Sequence, residues 1–366
     1  MVIPVRLDPG EALHELVEAQ HKLVGAVGRF GRIRDEQVEI ATTPKEEVLR
    51  IDKTALYHYA PPAGTSVGVP ILILYALVGR YTVIDLQEDR SFVRRLLGAG
   101  LDVYAADWGH PTRADRFTAI DDYVNDYIDE YVREICRRHE VDAVNLLGVC
   151  QGGVLSLCYA ALHPERIRNL ITAVTPVDFH ADKEDDRIDR GFMNVWARSI
   201  EPGDIDRMVD LLGNVPGEFT GNLFALMTPG RSLTKYNLDL LDAASDDARL
   251  LNFMRMEKWL ADRPDQPGEF ARQWLKELYQ QNKLVRGEFV LDGQRVELGR
   301  IRMPVLNILT DTDHVIPPPM SRALKQHVGT KDYTEMVVKG GHIGILVGAR
   351  SHAELAAMIT EWLAER

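Results

Sequence analysis

The chain has 366 residues, of which 45% are hydrophobic and 27% charged, and its formal net charge is −12 at pH 7. This composition is typical of a globular protein that forms one large domain with an insertion, or two domains. The negative charge argues against general binding to nucleic acids or to an anionic membrane surface, although it allows a local basic pocket. The apolar run at residues 69–78 is too short to cross a bilayer, so we expect no membrane span.

The three cysteines, Cys136, Cys150 and Cys158, form no CxxC pair. Their odd number and their spacing fit a reducing compartment better than a disulfide framework. The first residues show no basic region followed by an apolar stretch, which predicts that no signal peptide is present. We therefore expect a soluble protein of the cytoplasm.

Strand-like and helix-like patterns alternate from about residue 68 to residue 177. The strand-like patterns are short apolar runs, and the first is continuous, as in a strand that is covered on both faces. The patterns predict strands at residues 69–75, 102–106, 143–147 and 170–174, and helices at 88–97, 120–138 and 153–162. This alternation predicts an α/β protein with a mostly parallel sheet and helices on both faces.

The alternation stops after Asp178, where a segment rich in charges, tryptophan and proline begins. This segment predicts helices joined by loops, with one hairpin at 288–297 that turns at Asp292-Gly293. Afterwards the α/β pattern returns, with strands at 304–309 and 333–338 and helices at 321–327 and 352–363. We therefore predict a core formed by residues 1–177 and 301–366, with a mainly helical cap inserted at 178–300.

The stretch Gly148-Val149-Cys150-Gln151-Gly152 has the G-x-[S/C]-x-G form of a nucleophile elbow. In such an elbow the nucleophile occupies a sharp turn between a strand and a helix, and the flanking glycines avoid collisions. The N-terminus of the following helix favours a thiolate. The alternative is a buried thiol in a glycine-containing bend, but the strand before Cys150 and the helix after it favour the elbow.

A cysteine nucleophile needs a base, and the elbow architecture places an acid and then a histidine downstream of it. The loop after the strand at 333–338 contains His342, flanked by small residues, which we predict to be the base. The loop after the strand at 304–309 contains Asp313, our preferred carboxylate, and Asp311, the alternative. The pattern by itself does not separate the two aspartates.

Two backbone donors for an oxyanion are also expected. One is the N–H of Gln151, and the other should come from the loop at 76–79, where we favour Val78. The segment 311–314 reads Asp-Thr-Asp-His and raises the question of a metal site. Because no second cluster offers matching ligands, we expect no metal.

The motif at residues 148–153 resembles the modified lipase box of the poly(3-hydroxyalkanoate) synthases. The resemblance extends to "YALVGRYTVIDLQEDRS" (75–91), "DVYAADWGHP" (102–111), "VTPVDF" (174–179), "NFMRMEKW" (252–259), "DHVIPP" (313–318) and "GGHIGI" (340–345). It covers most of the chain from about residue 40 onward, and its motifs occur in the family's order. It implies an α/β-hydrolase core with a cap that covers the site and contributes to a homodimer.

Within that family, the nucleophile falls on Cys150, the base on His342 and the catalytic aspartate on Asp313. The short chain resembles the class III catalytic subunit, of the PhaC type, which works with a second subunit, PhaE. The resemblance implies that (R)-3-hydroxyacyl-CoA, chiefly the 3-hydroxybutyryl thioester, is polymerised with release of coenzyme A at the surface of cytoplasmic polyester granules. It implies no cofactor, because coenzyme A is the leaving group of the substrate.

Two other functions are compatible with parts of this pattern. One is a thioesterase or ester hydrolase with the same triad, which would release a free hydroxy acid instead of a polyester. The other is a non-catalytic granule-binding module on the same fold, which would be expected to lack a triad residue. For the phosphates of coenzyme A, the cap offers Lys283 and Arg286 as candidate ligands.

Overall fold

The structure of the protein is a computed structural model that describes residues 28–62, 68–181, 191–227, 240–348 and 350–366. The predicted cap therefore includes two segments, 182–190 and 228–239, that lie outside the described residues. No helix in the described part of the chain combines the length and the apolar character needed to span a membrane.

Eight strands form the main sheet, in the order β1-β2-β4-β3-β5-β6-β9-β10, and β7 and β8 form a separate hairpin. The strands are β1 (Glu46–Ile51), β2 (Thr54–Tyr59), β3 (Ile71–Leu74), β4 (Val103–Asp107), β5 (Val144–Val149), β6 (Ile167–Ala173), β7 (Val290–Leu291), β8 (Gln294–Arg295), β9 (Val305–Thr310) and β10 (Tyr333–Val338). Within the main sheet, only the pairings β1–β2 and β2–β4 are antiparallel. The prediction of a mostly parallel sheet is confirmed.

Each strand predicted from the sequence is present within about three residues of its expected bounds. Strands β3, β5 and β9 are buried along their whole length, which explains why continuous apolar runs revealed them. The antiparallel pair β1 and β2 was not predicted. Strand β1 lies at the edge of the sheet and is largely exposed, so it carries charged residues instead of an apolar run.

The helices are α1 (Phe92–Gly98), α2 (Asp129–His139), α3 (Gln151–Leu162), α4 (Phe192–Ser199), α5 (Pro202–Leu212), α6 (Gly217–Met227), α7 (Leu240–Ala243), α8 (Asp247–Ala261), α9 (Gly268–Arg272), α10 (Lys283–Arg286), α11 (Pro318–Arg322), α12 (Leu324–His327), α13 (Gly344–Val347) and α14 (Ser351–Ala364). Two π-helical segments adjoin them, Asp122–Ile128 before α2 and Gln273–Gln280 after α9.

Two predicted helices are divided in the structure. The helix expected at 88–97 is interrupted at Ser91. The hydroxyl of Ser91 accepts a hydrogen bond from the N–H of Arg94, so Ser91 is the N-cap of α1. The helix expected at 321–327 is divided into α11 and α12 by a short irregular step at Ala323. Both divisions are local, and neither moves the elements that carry the site.

Helices α4 to α10 follow one another between β6 and β9 and contact the core at several points. The indole N–H of Trp259, in α8, donates to the carbonyl of Arg80 at 2.9 Å. The side-chain oxygen of Gln273 accepts from the N–H of Ile120 at 2.7 Å. The predicted hairpin at 288–297 is confirmed, with positive φ at Asp292 and Gly293. The division at residues 178 and 300 stays a prediction.

Candidate active site

Cys150 lies at the turn between β5 and α3, with φ 54° and ψ −118°. A non-glycine residue adopts such a conformation only where its surroundings impose it. Here the N–H of Cys150 donates to the carbonyl of Ala173 on the neighbouring strand β6, and the carbonyl of Cys150 accepts from Gly153 in the first turn of α3. These bonds hold the residue at the C-terminal edge of the sheet.

The glycines of the turn are required by close backbone contacts. A β-carbon at Gly148 would lie 2.4 Å from the α-carbon of Gly153, and one at Gly152 would lie 2.1 Å from the carbonyl oxygen of Leu74. Both distances are far below the contact distance of carbon and oxygen atoms. The spacing of the motif therefore reflects the packing of the elbow against β3 and α3, as expected for a nucleophile elbow.

His342 and Asp313 form a buried pair. The Nδ1 atom of His342 lies 2.8 Å from Oδ2 of Asp313, and the side chains are 8% and 1% exposed. The other carboxylate oxygen of Asp313 accepts hydrogen bonds from the N–H groups of Val315 and Ile316, each at 2.9 Å. The loop after β9 therefore holds the carboxylate of Asp313 in position for its contact with the imidazole of His342.

Charge interactions determine the protonation of this pair. Burial by itself lowers the pKa of His342, but the charges of Asp313 and Cys150, together with hydrogen bonds to both, raise that pKa well above its usual value. Burial raises the pKa of Asp313, yet His342 and the N–H groups of Ile316 and Val315 bring it below its usual range. The imidazole therefore interacts with the thiol on one side and the carboxylate on the other.

The structure distinguishes the two aspartates that the residue pattern left open, of which the resemblance implied Asp313. The carboxylate of Asp311 accepts a hydrogen bond from the N–H of Gly340 at 2.9 Å and is exposed. Asp313, two residues later, is the one that contacts His342. His314 lies on the wall of a cavity beside His342.

The two positions predicted to supply oxyanion donors are hydrogen-bonded to each other in an unexpected way. The side-chain oxygen Oε1 of Gln151 accepts from the N–H of Leu77 at 3.0 Å and from the N–H of Val78 at 3.2 Å. It also accepts from Nε2 of Gln266 at 3.3 Å. The N–H of Val78 is thus engaged, and its role as an oxyanion donor stays a prediction. No sequence motif indicated Gln266, which lies between α8 and α9 in the stretch from β6 to β9 that we call the inserted segment.

Two cavities meet at Cys150. One is lined mainly by apolar side chains, including those of Met193, Trp196, Leu223 and Trp274. We call it the apolar cavity.

The second cavity adjoins His342 and is also lined by His314 and Arg263. We call it the His342 cavity. Burial lowers the pKa of Arg263, whose Nε donates to the carbonyl of Leu260.

The two basic candidates for binding coenzyme A are placed elsewhere. Lys283 forms an ion pair with Glu277 at 2.8 Å, and Arg286 forms one with Glu288 at 2.9 Å. Arg286 lines a further cavity, and Cys150 is not among the residues of that cavity. The structure therefore does not bring either residue to the nucleophile.

A group of three side chains with metal-binding chemistry is found away from the elbow. Within the described ranges, the residues with suitably close ligand atoms are His58, Asp102 and His139, and the segment 311–314 is not among them. All three side chains are already hydrogen-bonded, His58 and Asp102 to each other and His139 to the hydroxyl of Tyr104. The expectation that the protein binds no metal stays a prediction.

Comparisons with known proteins agree with this geometry. The family model of the alpha/beta hydrolase fold matches residues 69–349. A thermophilic esterase from Thermogutta terrifontis superposes with a TM-score of 0.52 over 89% of this chain and 99% of that chain, at 16% identity. This likeness concerns the fold alone, and it confirms the predicted α/β-hydrolase core.

Relatives of much higher identity extend over the whole chain. The protein is 43% identical to the poly(3-hydroxyalkanoate) polymerase subunit PhaC of Allochromatium vinosum, over 100% of both chains. It is 41% identical to the subunit of the same name from Thiocystis violacea, over 99% of both chains, and 41% identical to that of Synechocystis, over 97% of this chain and 93% of that one. The resemblance seen in the motifs is confirmed: the chain has the alpha/beta hydrolase fold and belongs to the family of the poly(3-hydroxyalkanoate) polymerase subunits PhaC.

Proposed function

We propose that this protein is an acyltransferase that polymerises (R)-3-hydroxyacyl-CoA, chiefly (R)-3-hydroxybutyryl-CoA, into poly(3-hydroxyalkanoate) with release of coenzyme A. The observation that carries the proposal is a cysteine at the elbow, facing a buried His342–Asp313 pair, in a chain related along its full length to polymerase subunits. The nucleophile in this proposal is Cys150, the base is His342 and the orienting carboxylate is Asp313.

In the acylation step, the thiolate of Cys150 attacks the carbonyl carbon of the substrate thioester. A new carbon–sulfur bond forms, the bond to the sulfur of coenzyme A breaks, and the departing thiolate takes a proton from the imidazolium of His342. Asp313 stabilises that imidazolium and holds its ring in position. The raised pKa of His342 supports an imidazolium beside Cys150 in the resting enzyme.

In the elongation step, His342 accepts the proton of a 3-hydroxyl group. The hydroxyl oxygen attacks the acyl group on Cys150, an oxygen ester forms, and the thiolate of Cys150 leaves. The proton is then on the imidazole, so the resting ion pair is restored.

Sulfur suits this two-step reaction better than oxygen does. Exchange of one thioester for another is nearly even in free energy, so the acyl group on Cys150 stays activated. Its transfer to a hydroxyl then yields the more stable oxygen ester. A serine would form an oxygen ester at the first step and would lose this driving force.

The two cavities suit different parts of the substrate. The apolar cavity offers the low-polarity walls that suit an acyl or polyester chain. The His342 cavity carries the guanidinium of Arg263, which suits the polar arm of coenzyme A. The small exposure of Cys150 and His342 would limit hydrolysis of the acyl-enzyme, because water is largely excluded from them.

The assembly belongs to the same proposal. We propose a class III enzyme that works as a homodimer with a PhaE-type second subunit, at the surface of cytoplasmic polyester granules. We further propose that it needs no cofactor or metal ion, since the thiol, the imidazole and the carboxylate supply the nucleophile and the proton transfers.

The test is the product formed from (R)-3-hydroxybutyryl-CoA, with and without a PhaE-type subunit. We expect release of coenzyme A together with insoluble polyester, and higher activity when the second subunit is present. Release of coenzyme A with free hydroxy acid as the only other product would instead establish the thioesterase alternative. Full activity without the second subunit would contradict the class III assignment.

A further inference from the structure

The side-chain oxygen of Gln151 occupies an unusual position. Three N–H donors converge on this single atom: the backbone amides of Leu77 and Val78 and the side-chain amide of Gln266. Gln151 and Gln266 are both buried, with 4% and 5% exposure. Cys150, Gln151, Val78 and Gln266 all lie on the wall of the apolar cavity.

A neutral amide oxygen has two lone pairs, so three donors exceed what it needs. Convergent donors on one oxygen are instead the arrangement that stabilises the negative oxygen of a tetrahedral intermediate. Leu77 and Val78 belong to the loop after β3, from which the second oxyanion donor of this fold is drawn. The oxygen of Gln151 therefore stands where these amides would receive the oxygen of a substrate.

The third donor is fixed by the inserted segment. The backbone of Gln266 exchanges two hydrogen bonds with Val215, each at 2.9 Å. Its neighbour Asp265 accepts from the N–H of Gly217 at 2.9 Å. Gln266 is thus attached to the part of the inserted segment where α6 begins, and its bond to Gln151 connects that part to the loop after β3.

We propose that the side-chain oxygen of Gln151 reversibly blocks the oxyanion donors, the N–H groups of Leu77 and Val78, and we call it the stopper. Gln266 holds this oxygen in place while the inserted segment is closed over Cys150. Opening of that segment withdraws Gln266 and leaves Gln151 with two donors. Without the third hydrogen bond the side chain of Gln151 is held less tightly and rotates away, and the N–H groups of Leu77 and Val78 then donate to the thioester oxygen. This inference rests on the proposed function, because it concerns the acylation step of that reaction.

Two nearly isosteric substitutions test the proposal through effects of opposite sign. Gln151→Met removes the acceptor, so the single-turnover release of coenzyme A from (R)-3-hydroxybutyryl-CoA should rise about two- to tenfold, the factor that one hydrogen bond contributes. Gln151→Glu places a charged acceptor on the same donors and should slow this release by a similar factor or more. If Gln151 merely braced the loop, Gln151→Met would be the slow variant and Gln151→Glu would keep the rate.

A second pair of variants tests the link to the inserted segment. Gln266→Leu should also raise the single-turnover rate, because it removes the donor that retains Gln151. The matched control is Gln273→Leu, which removes another glutamine that bridges this segment to the core, at Ile120 and Asp121, without contacting Gln151. Its rate should equal that of the wild type. Equal acceleration by both variants would overturn the proposal, since general loosening would then explain the effect.

The wild-type protein separates this inference from the proposed function. If the wild type releases no coenzyme A, the proposed function fails. If it does and Gln151→Met or Gln266→Leu is slower, the stopper is refuted while the function stands. The pH profile of iodoacetamide alkylation at Cys150, measured for Gln151→Glu, should remain that of the wild type. A shifted profile would mean that the added charge acts on the thiol, and it would overturn the interpretation of this variant as a tighter stopper.

Discussion

The carboxylate of Asp313 contacts the Nδ1 atom of His342 at 2.8 Å, and two backbone N–H groups hold it there from the opposite side. This relationship leaves the other ring nitrogen of His342 available to the thiol of Cys150. It also explains the direction in which the pKa of the imidazole is shifted, because Asp313 is the main cause that raises it. The reactivity of the thiol therefore depends on a residue that does not touch it.

Replacing Asp313 by asparagine should lower the pKa of His342. The pKa is raised in the wild type, so the imidazolium persists at neutral pH; without the carboxylate it loses its proton at a lower pH. The thiolate–imidazolium pair then becomes less populated, and alkylation of Cys150 by iodoacetamide at pH 7 should slow by about tenfold or more. The measurement is the alkylation rate as a function of pH.

Asp311→Asn is the matched control for this prediction. The carboxylate of Asp311 is exposed and binds the N–H of Gly340, so the alkylation profile should be unchanged. Polymerisation should likewise suffer far more from Asp313→Asn than from Asp311→Asn. The reverse order would assign the acid to position 311.

The three thiols should differ in their reactivity towards iodoacetamide. Burial raises the pKa of Cys136 and of Cys158, so both stay protonated at neutral pH, and among the described residues no histidine is paired with either. Mass spectrometry after brief treatment at pH 7 should therefore find the label on Cys150. Labelling of Cys136 at an equal rate would contradict the prediction.

Cys150→Ala and Cys150→Ser should abolish polymer formation for different reasons. The alanine variant has no nucleophile, and release of coenzyme A should fall to the background rate. The serine variant lacks the thiolate that pairs with His342, and any acylation would stop at an oxygen ester. Both rates are measured with a thiol reagent that detects coenzyme A. Normal release by the alanine variant would refute the nucleophile assignment.

Gly152→Ala should destabilise the fold as well as the site. The added carbon would lie 2.1 Å from the carbonyl oxygen of Leu74, so β3 or the elbow must move. We expect a loss of at least about 2 kcal/mol in the free energy of unfolding, measured with urea. Gly98→Ala is the control, because a β-carbon added there meets no atom within 4 Å beyond its chain neighbours and its own helix backbone, so the stability should be unchanged or higher.

Much of the architecture could be predicted because parallel strands that are covered on both faces are apolar along their length, as β5 and β9 are. The edge strand β1 escaped prediction, since its largely exposed surface carries charged residues. The positions of Cys150 and His342 were also predictable. Both follow a strand of one parallel sheet, and the carboxyl ends of such strands meet at a common edge.

Other parts of the site depend on contacts between residues far apart in the chain. Gln151 and Gln266 are 115 positions apart, and their bond follows from how the inserted segment packs on the core. No periodicity or motif encodes such a contact. The same reason explains why Lys283 and Arg286 were plausible from their charge alone but are paired with Glu277 and Glu288 away from the nucleophile.

The sequence by itself determined the elbow, the order of its chemical groups and the family, because these depend on local spacing and on motifs along the chain. Residue spacing left Asp311 and Asp313 open and the family motif pointed to Asp313, but only the tertiary structure showed the contact of Asp313 with His342, because the partners of both aspartates lie on another loop. It also showed that the N–H of Val78 already donates a hydrogen bond to the side chain of Gln151, a residue of the elbow. Direction and distance in space, which fix hydrogen bonds, are set by packing across the whole fold.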